Sequence, residues 1–182
     1  STTQVEYGLT TAYGSLTTLA PALVTTHSKA FGGLSVATTY HYRVISTNSF
    51  SQTGTSGDLT FTTASGPVIS GVAATALTGT SATIGWTTDQ VSSSQVEYGL
   101  TTTYGSTTTL NATLVTTHSQ NLTGLAIGTL YHYRVKSTSA LALPSTSPDF
   151  TFTTVALPVI SGVGASSISG TAASIDWTTD QA

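Results

Sequence analysis

An internal repeat with an offset of 91 residues runs through the whole chain and constrains its fold more than any other feature. Gln4–Gly8 recurs at Gln95–Gly99, and Trp86–Gln90 recurs at Trp177–Gln181, with no insertion or deletion between the copies. Twice 91 equals the full length of 182 residues, and more than half of the aligned pairs are identical. Self-similarity of this kind is typical of chains built from tandem copies of one structural unit. The sequence therefore predicts two turns of one repeat.

The phase of the repeat predicts that this chain is one period of a longer array, cut within a domain. In the middle of the chain, Val91 leads directly into the second copy of the opening segment. Joining Ala182 to Ser1 of another copy would restore the same succession without a gap. We therefore expect a partial domain over residues 1–64, a complete domain over 66–155, and the first two strands of a further domain over 158–182. Residues 1–64 of the next copy would complete that further domain.

Short strand signals between Gly, Pro and Ser turns predict an all-β fold in which each repeat is a seven-stranded β-sandwich. No stretch of about 11 residues has the apolar period of a helix, so no substantial helix is expected. Alternation places Ala82, Ile84 and Trp86 on the inner face of the second strand, and Tyr131 and Tyr133 on that of the sixth. The expected strands of the complete domain lie at 67–74, 81–88, 94–98, 105–110, 115–122, 130–138 and 148–154.

Several of these residues resemble the signature of fibronectin type III domains. The second strand carries a Trp, and the spacing Leu125-x5-Tyr131 matches the tyrosine corner, in which the Tyr hydroxyl bonds to upstream backbone. The fuller string Gln-Val-Glu-Tyr-Gly, Thr-His-Ser, Tyr-His-Tyr-Arg-Val and Phe-Thr-Thr is similar to fibronectin-like repeats of bacterial surface and secreted proteins, which are related to the N-terminal domain of purple acid phosphatases. The resemblance implies tandem immunoglobulin-like sandwiches. The expected core residues are Trp86, Trp177, Leu34, Tyr40, Leu125 and Tyr131.

The composition excludes several functional classes. Cysteine is absent, which excludes disulfide frameworks, thiolate zinc sites and cysteine nucleophiles. Only four Lys or Arg residues are present, too few for a basic surface that would bind nucleic acid. No apolar run reaches the roughly 18 residues needed to span a bilayer. A hydrophobic content of 38% with low net charge favours a packed core over disorder.

The histidines form no recognisable metal site. His27 and His118 occupy one repeat position, and His41 and His132 occupy another. No cluster of acidic residues accompanies either pair, so local hydrogen bonding is favoured over metal binding. A Gly-x-Ser-x-Gly elbow and a catalytic carboxylate pair are also absent from the sequence. We therefore expect no enzymatic activity, no cofactor and no metal.

The remaining polar candidates fit surface roles. Glu6 and Glu97 are expected to face outward and pair with Arg43 and Arg134 across the sheet. Asp89 and its repeat counterpart Asp180 are candidates for calcium binding at a domain junction, but isolated acids favour turn chemistry. Two sequons, which start at Asn111 and Asn121, are candidate glycosylation sites.

The gapless repeat, the short linkers and the lack of a catalytic pattern predict a structural role. The preferred function is a repeat unit of an extracellular filament, stalk or cell-surface fibre. Its partner is then another copy of itself, joined head to tail either by strand complementation or within one continuous polypeptide. The alternative is an adhesin or carbohydrate-binding spacer of a larger secreted protein, with surface glycans as ligands and with the variable loops 48–54 and 139–145 carrying the specificity.

Overall fold

The computed structural model describes residues 1–181, which divide into two compact units at the junction between Gly66 and Pro67. All fourteen regular elements of the described residues are β-strands. The described part of the chain has no helix long and apolar enough to cross a bilayer. The all-β class predicted from the sequence is confirmed.

The first unit is one antiparallel sheet of five strands. The central strand β3 pairs with β1 on one side and with β4 and β5 on the other, and β2 extends the sheet beyond β1. Residues 21–38, which lead into β3, form no strand. The strands are β1 (Gln4–Gly8), β2 (Ser15–Leu16), β3 (Thr39–Thr47), β4 (Thr53–Thr55) and β5 (Leu59–Thr62).

The second unit begins with a complete β-sandwich, which we call the central domain. One layer contains β6, the first half of β7, and β9; the other contains β8, the second half of β7, β10, β11 and β12. The strands are β6 (Ile69–Thr75), β7 (Ser81–Gly99), β8 (Ser106–Thr107), β9 (Asn111–Thr123), β10 (Leu130–Thr138), β11 (Pro144–Thr146) and β12 (Phe150–Thr153). The predicted sandwich fold is confirmed.

Strand β7 differs most from the sequence prediction, because it is one strand of 19 residues rather than two separate strands at 81–88 and 94–98. Its first half pairs with β6 and β9, and its second half pairs with β8 and β10, so a single extended segment belongs to both layers. The intervening residues include no Gly or Pro to turn the chain. The pairing with β9 shifts register between Thr87 and Ser92 instead.

Most of the other strand boundaries also differ from the prediction, and three strands show the largest differences. Strand β8 covers only Ser106–Thr107. At the next residue the Thr108 amide donates to the Val96 carbonyl at 2.9 Å, but the Val96 amide donates to the Thr108 hydroxyl at 2.9 Å instead of to a backbone carbonyl. Strand β9 begins at Asn111, four residues before the predicted start. The short strand β11 was not predicted. Its first residue is Pro144, and a proline is compatible with the edge of a sheet.

The core of the central domain follows the predicted alternation. Along β10 the side chains alternate between buried and half-buried, with Tyr131, Tyr133 and Val135 inside. The two layers meet around these residues and around Ile84, which is fully buried, and Trp86. Burying an aromatic or branched side chain contributes roughly 1.5–3 kcal/mol, so these contacts are the main source of stability.

The tyrosine corner is present in both units. The Tyr131 hydroxyl accepts a hydrogen bond from the Ala126 amide at 3.0 Å, and the Tyr40 hydroxyl accepts one from the Ser35 amide at 3.0 Å. Both tyrosines are buried, as is Leu125, whereas Leu34 is half-buried. The geometry of this corner is the one that the Leu-x5-Tyr spacing predicts.

The turn after β7 requires a glycine at Gly99, the last residue of the strand. A Cβ atom on Gly99 would lie 1.4 Å from the Tyr104 carbonyl oxygen, and the same approach occurs between Gly8 and Tyr13. Tyr104 itself has a φ of 59°, in the left-handed region. The close approach fixes the direction in which the chain leaves the sheet.

The last two strands form a separate hairpin, β13 (Ile160–Ser166) and β14 (Ser174–Thr179). It repeats the sequence and the register shift of β6 with the first half of β7: both pairs shift after a Ser, at Ser70 and at Ser161. Every residue from 155 to 181 is exposed. In the described part of the chain, this hairpin pairs with no third strand.

Candidate assembly site

The first unit contains an open groove of about 910 Å³, which we call the acceptor groove. Its walls come from β1, β3 and β5 and from the segment before β3 that forms no strand. Aromatic and aliphatic side chains supply half of the lining residues, and Lys29 is the one permanently charged residue among them. The apolar lining residues are Val5, Ala30, Phe31, Leu34, Tyr42, Val44, Ile45 and Phe61.

The same positions of the central domain are closed. Val135, the repeat counterpart of Val44, is fully buried, whereas Val44 is 44% exposed. Tyr133, the counterpart of Tyr42, is also buried. Strand β6 and the first half of β7 cover these positions in the central domain. The acceptor groove therefore has the shape of a sandwich from which the first two strands are missing.

The hairpin β13–β14 carries apolar side chains at positions that belong to the core in the central domain, but here these side chains are exposed. Trp177 is 57% exposed, whereas its counterpart Trp86 is 2% exposed. Ile160, Val163 and Ile175 are exposed as well. Trp177 was predicted to be a core residue, and within this chain it is not buried. We call β13–β14 the donor hairpin.

His118 shows how the two layers of the central domain are joined. Its ring stacks on Trp86 with centroids 4.9 Å apart and an interplanar angle of 6°. Nδ1 is 2.7 Å from the Ser94 hydroxyl, and Nε2 is 2.8 Å from the Thr88 hydroxyl. Burial of the ring lowers the His118 pKa. These contacts agree with the prediction of local hydrogen bonding.

His27 holds the corresponding place in the first unit, but it is exposed. Its Nδ1 lies 2.6 Å from the Thr3 hydroxyl, and Nε2 lies 3.1 Å from the Ser1 hydroxyl. Thr3 and Ser1 are the repeat counterparts of Ser94 and Ser92. The Trp and Thr that cover the ring in the central domain have their counterparts on the donor hairpin, at Trp177 and Thr179.

A second repeated constellation lies on the outer face of the sheet. In the central domain the Tyr104 hydroxyl donates to Asp149 at 3.1 Å, and His132 Nδ1 is 2.8 Å from the same carboxylate. The guanidinium of Arg134 stacks over the Tyr104 ring at 4.7 Å and its Nε donates to Glu97 at 2.6 Å. The first unit repeats all four contacts through Tyr13, Asp58, His41, Arg43 and Glu6.

This outer cluster is internally neutralised. Partial burial works to raise the Glu97 pKa, but hydrogen bonds from Arg134 and Lys136 outweigh it and hold the pKa below its usual value. The hydrogen bond from His41 lowers the Asp58 pKa in the same way. The Glu–Arg pairs were predicted from the sequence; the Tyr–Asp contacts were not. The recurrence of Tyr and Asp at an offset of 91, each beside a turn, was the signal that could have found them.

The other predicted site residues lie apart from one another. Asp89 accepts a hydrogen bond from the Val68 amide, and Asp180 accepts one from the Val159 amide, each at 2.7 Å; each bond joins residues 21 positions apart, so it is a contact between paired strands rather than the turn chemistry expected from the sequence. Asn111 and Asn121 are exposed on β9, so glycosylation there stays a prediction. Among residues 1–181, no three His, Cys, Asp or Glu side chains converge in a way that could hold a metal ion.

Comparison with known proteins identifies the central domain. The sequence model of the purple acid phosphatase N-terminal domain matches residues 68–154. A search of the curated proteins finds no match. The matching solved structures include the sensor domain of the anti-sigma factor RsgI4 from Pseudobacteroides cellulosolvens, with 20% identity, coverage of 50% of this chain and 96% of that chain, and a TM-score of 0.39. They also include the FN1–FN3 domains of chicken CNTN1, with 16% identity, coverage of 85% of this chain and 56% of that chain, and a TM-score of 0.42.

The family match covers the central domain from the first residues before β6 to the end of β12. The matched family is a non-catalytic domain of the phosphatases, so the match supports a fold and identifies no catalytic residue. Together with the tyrosine corner and the two-layer topology, it establishes the relationship expected from the sequence. Residues 68–154 of this chain form a fibronectin type III-like domain related to the N-terminal domain of purple acid phosphatases.

Proposed function

We propose that this chain is a structural repeat unit of an extracellular filament, stalk or cell-surface fibre. In that assembly the donor hairpin of one copy fills the acceptor groove of the next. The observation that carries the proposal is the central domain, where the same sequence segments are joined in one closed sandwich. Every wall of the groove and every strand of the hairpin has its counterpart there, and this correspondence supports a second copy as the occupant of the groove.

The central domain supplies the register of the proposed contact. There Trp86 pairs with His118, and Ile84 pairs with Gln120. Transposed by 91 residues, Trp177 of one copy pairs with His27 of the next, and Ile175 pairs with Lys29. This pairing would give a strand partner to the segment before β3, which forms no strand in the isolated unit.

The apolar side chains of the hairpin favour the same association. Burial of Ile160, Val163, Ile175 and Trp177 would contribute roughly 1.5–3 kcal/mol for each side chain. The costs of association and of ordering the segment before β3 oppose this gain. The gross gain of about 6–12 kcal/mol is of the same order as these costs, so a stable interface would also depend on the backbone hydrogen bonds of the added strands.

The assembly is tested with the purified 182-residue chain. We expect concentration-dependent polymers in light scattering, and fibres in electron micrographs with an axial rise of at most about 70 Å, since each of the two domains per copy is about 35 Å long. The matched control is the chain without residues 157–182, which lacks the donor hairpin and should stay monomeric. Monomers of the full chain, or polymers of the truncated one, would contradict the proposal.

Two covalent arrangements are compatible with this contact: the copies are separate subunits, or they are parts of one polypeptide. Electrophoresis of the native material distinguishes the two. Denaturing electrophoresis should give a band near 18.5 kDa if the copies are separate subunits. A single much larger polypeptide would indicate that the copies are fused, with each hairpin leading directly into the following groove.

One observation favours a binding role as a second function. Phe50 is 82% exposed, in the loop between β3 and β4, and its repeat counterpart Leu141 is 67% exposed, in the loop between β10 and β11. Apolar residues on rigidly held loops are common in recognition sites. If these loops bind glycans, a glycan array should give signals that Phe50→Ser and Leu141→Ser together abolish, while polymer formation continues.

A further inference from the structure

We propose that His27 makes the contact between donor hairpin and acceptor groove sensitive to acid, so that protonation of His27 releases the hairpin. This inference rests on the proposed assembly and adds its regulation. It is carried by the geometry around His118, which shows the surroundings that His27 acquires when the groove is filled.

The surroundings of His118, which represent the filled groove, would not stabilise a protonated imidazole, because only hydroxyl groups contact its nitrogens. In the central domain His118 is 2% exposed, and the groups that contact its two nitrogens are the hydroxyls of Ser94 and Thr88, with Ser92 at a longer distance. A neutral imidazole carries one donor and one acceptor, and hydroxyls can satisfy both. An imidazolium has two donors and a charge, which a buried site without a carboxylate disfavours.

The open site in the first unit differs in one respect. His27 keeps the two hydroxyl contacts from its own unit, but its ring is exposed and hydrated. Filling the groove would place Trp177 against the ring face and Thr179 against Nε2. The hairpin would therefore remove water from a titratable group without supplying an opposite charge.

The charged groups around the site include positive ones in the first unit. Lys29 lines the groove, and the amine of Ser1 belongs to the residue whose hydroxyl contacts His27, so neither offsets a positive charge on the ring. On the donor hairpin, the Asp180 carboxylate accepts a hydrogen bond from the Val159 amide, as Asp89 does at the closed site. Asp176 replaces Gly85 at an outward-facing position and bonds to Ser166.

The sign of the effect follows from the protons bound in each state. The filled groove binds fewer protons than the open groove, so assembly strengthens as the pH rises and weakens as the pH falls through the ordinary imidazole range. A single group that binds a proton in the open groove and not in the filled one reduces the affinity by at most about tenfold for each unit by which the pH falls.

The test compares the dissociation constant of the 182-residue chain at pH 7.5 and pH 5.0, measured by sedimentation at constant ionic strength. We expect a loss of affinity of about tenfold or more in the unmodified chain, and a loss of less than about threefold in His27→Asn, whatever its affinity at pH 7.5. His27→Gln serves as a second neutral replacement if the first does not fold. His41→Asn, which alters the outer cluster, should retain the full pH dependence. Far-ultraviolet circular dichroism at both pH values verifies that the central domain stays folded.

The outcomes separate the two proposals. Polymers at pH 7.5 whose affinity is unchanged at pH 5.0 would overturn the role of His27 and leave the assembly standing. The same would follow if His27→Asn kept the dependence of the unmodified chain. Failure to assemble at pH 7.5 would overturn the assembly and the acid sensitivity together.

Discussion

The two tryptophans occupy one repeat position in two different environments, which makes them a matched pair for mutation. Trp86 is 2% exposed, stacks on His118 and donates through Nε1 to the Ser137 hydroxyl at 3.0 Å. Trp177 is 57% exposed in the isolated chain. The same substitution at these two positions should therefore affect different equilibria.

Trp86→Ala should lower the free energy of unfolding of the central domain by about 3–5 kcal/mol, the usual cost of removing a large aromatic side chain from a core. The loss includes the ring stack with His118, and it leaves the buried Ser137 hydroxyl without its donor. Trp177→Ala should change the stability of the isolated chain by less than about 0.5 kcal/mol, because an exposed side chain has few contacts to lose.

Association between copies should show the opposite ranking, with Trp177→Ala having the larger effect. If Trp177 becomes as buried as Trp86 when the groove is filled, its removal should weaken association by about 3 kcal/mol or more, which is over 100-fold in the dissociation constant. Urea denaturation of the truncated and full chains measures stability, and sedimentation measures association. A Trp177→Ala chain that assembles normally would refute the reasoning, as would one destabilised as much as Trp86→Ala before assembly.

Three further predictions concern the central domain. Tyr131→Phe should destabilise it by about 0.5–1.5 kcal/mol in urea denaturation through loss of the bond from the Ala126 amide; no change would mean that this bond is not formed. Gly99→Ala should destabilise it more than Gly105→Ala, since only the first places a Cβ against backbone; equal melting temperatures would contradict the tight turn. Because burial lowers the His118 pKa, the folded state binds fewer protons, and stability should fall as the pH drops below the ordinary imidazole pKa. His118→Asn should flatten that profile, and an unchanged slope would place the titrating group elsewhere.

The inner faces of the strands were predictable from the sequence because alternation is a local property. Each of Ala82, Ile84 and Trp86 is buried, as the period of two requires. The continuity of β7 was not predictable in the same way. Residues 89–93 read as a connection between two strands, and only pairing with β6, β9 and β10 reveals that the backbone stays extended.

The candidate site was predictable only in part, since it depends on contacts between residues far apart in sequence. The repeat phase predicted that residues 158–182 lack a covering layer, and the structure has residues 158–181 exposed. The stack of His118 on Trp86 joins residues 32 positions apart in the chain and gives no local signal. The Tyr104–Asp149 bond spans 45 residues, and each residue alone resembles an ordinary turn residue.

The extended course of β7 has a mechanical consequence. Because one strand belongs to both layers of the central domain, tension applied along it would load hydrogen bonds to β9 and β10 in shear, many at a time, rather than one by one. In the proposed junction between copies, the same path runs from β14 of one copy to β1 of the next. Separate subunits would interrupt that path between Thr179 and Gln4, so a pulled fibre should break there first. Copies fused into one polypeptide would carry the load through every domain alike.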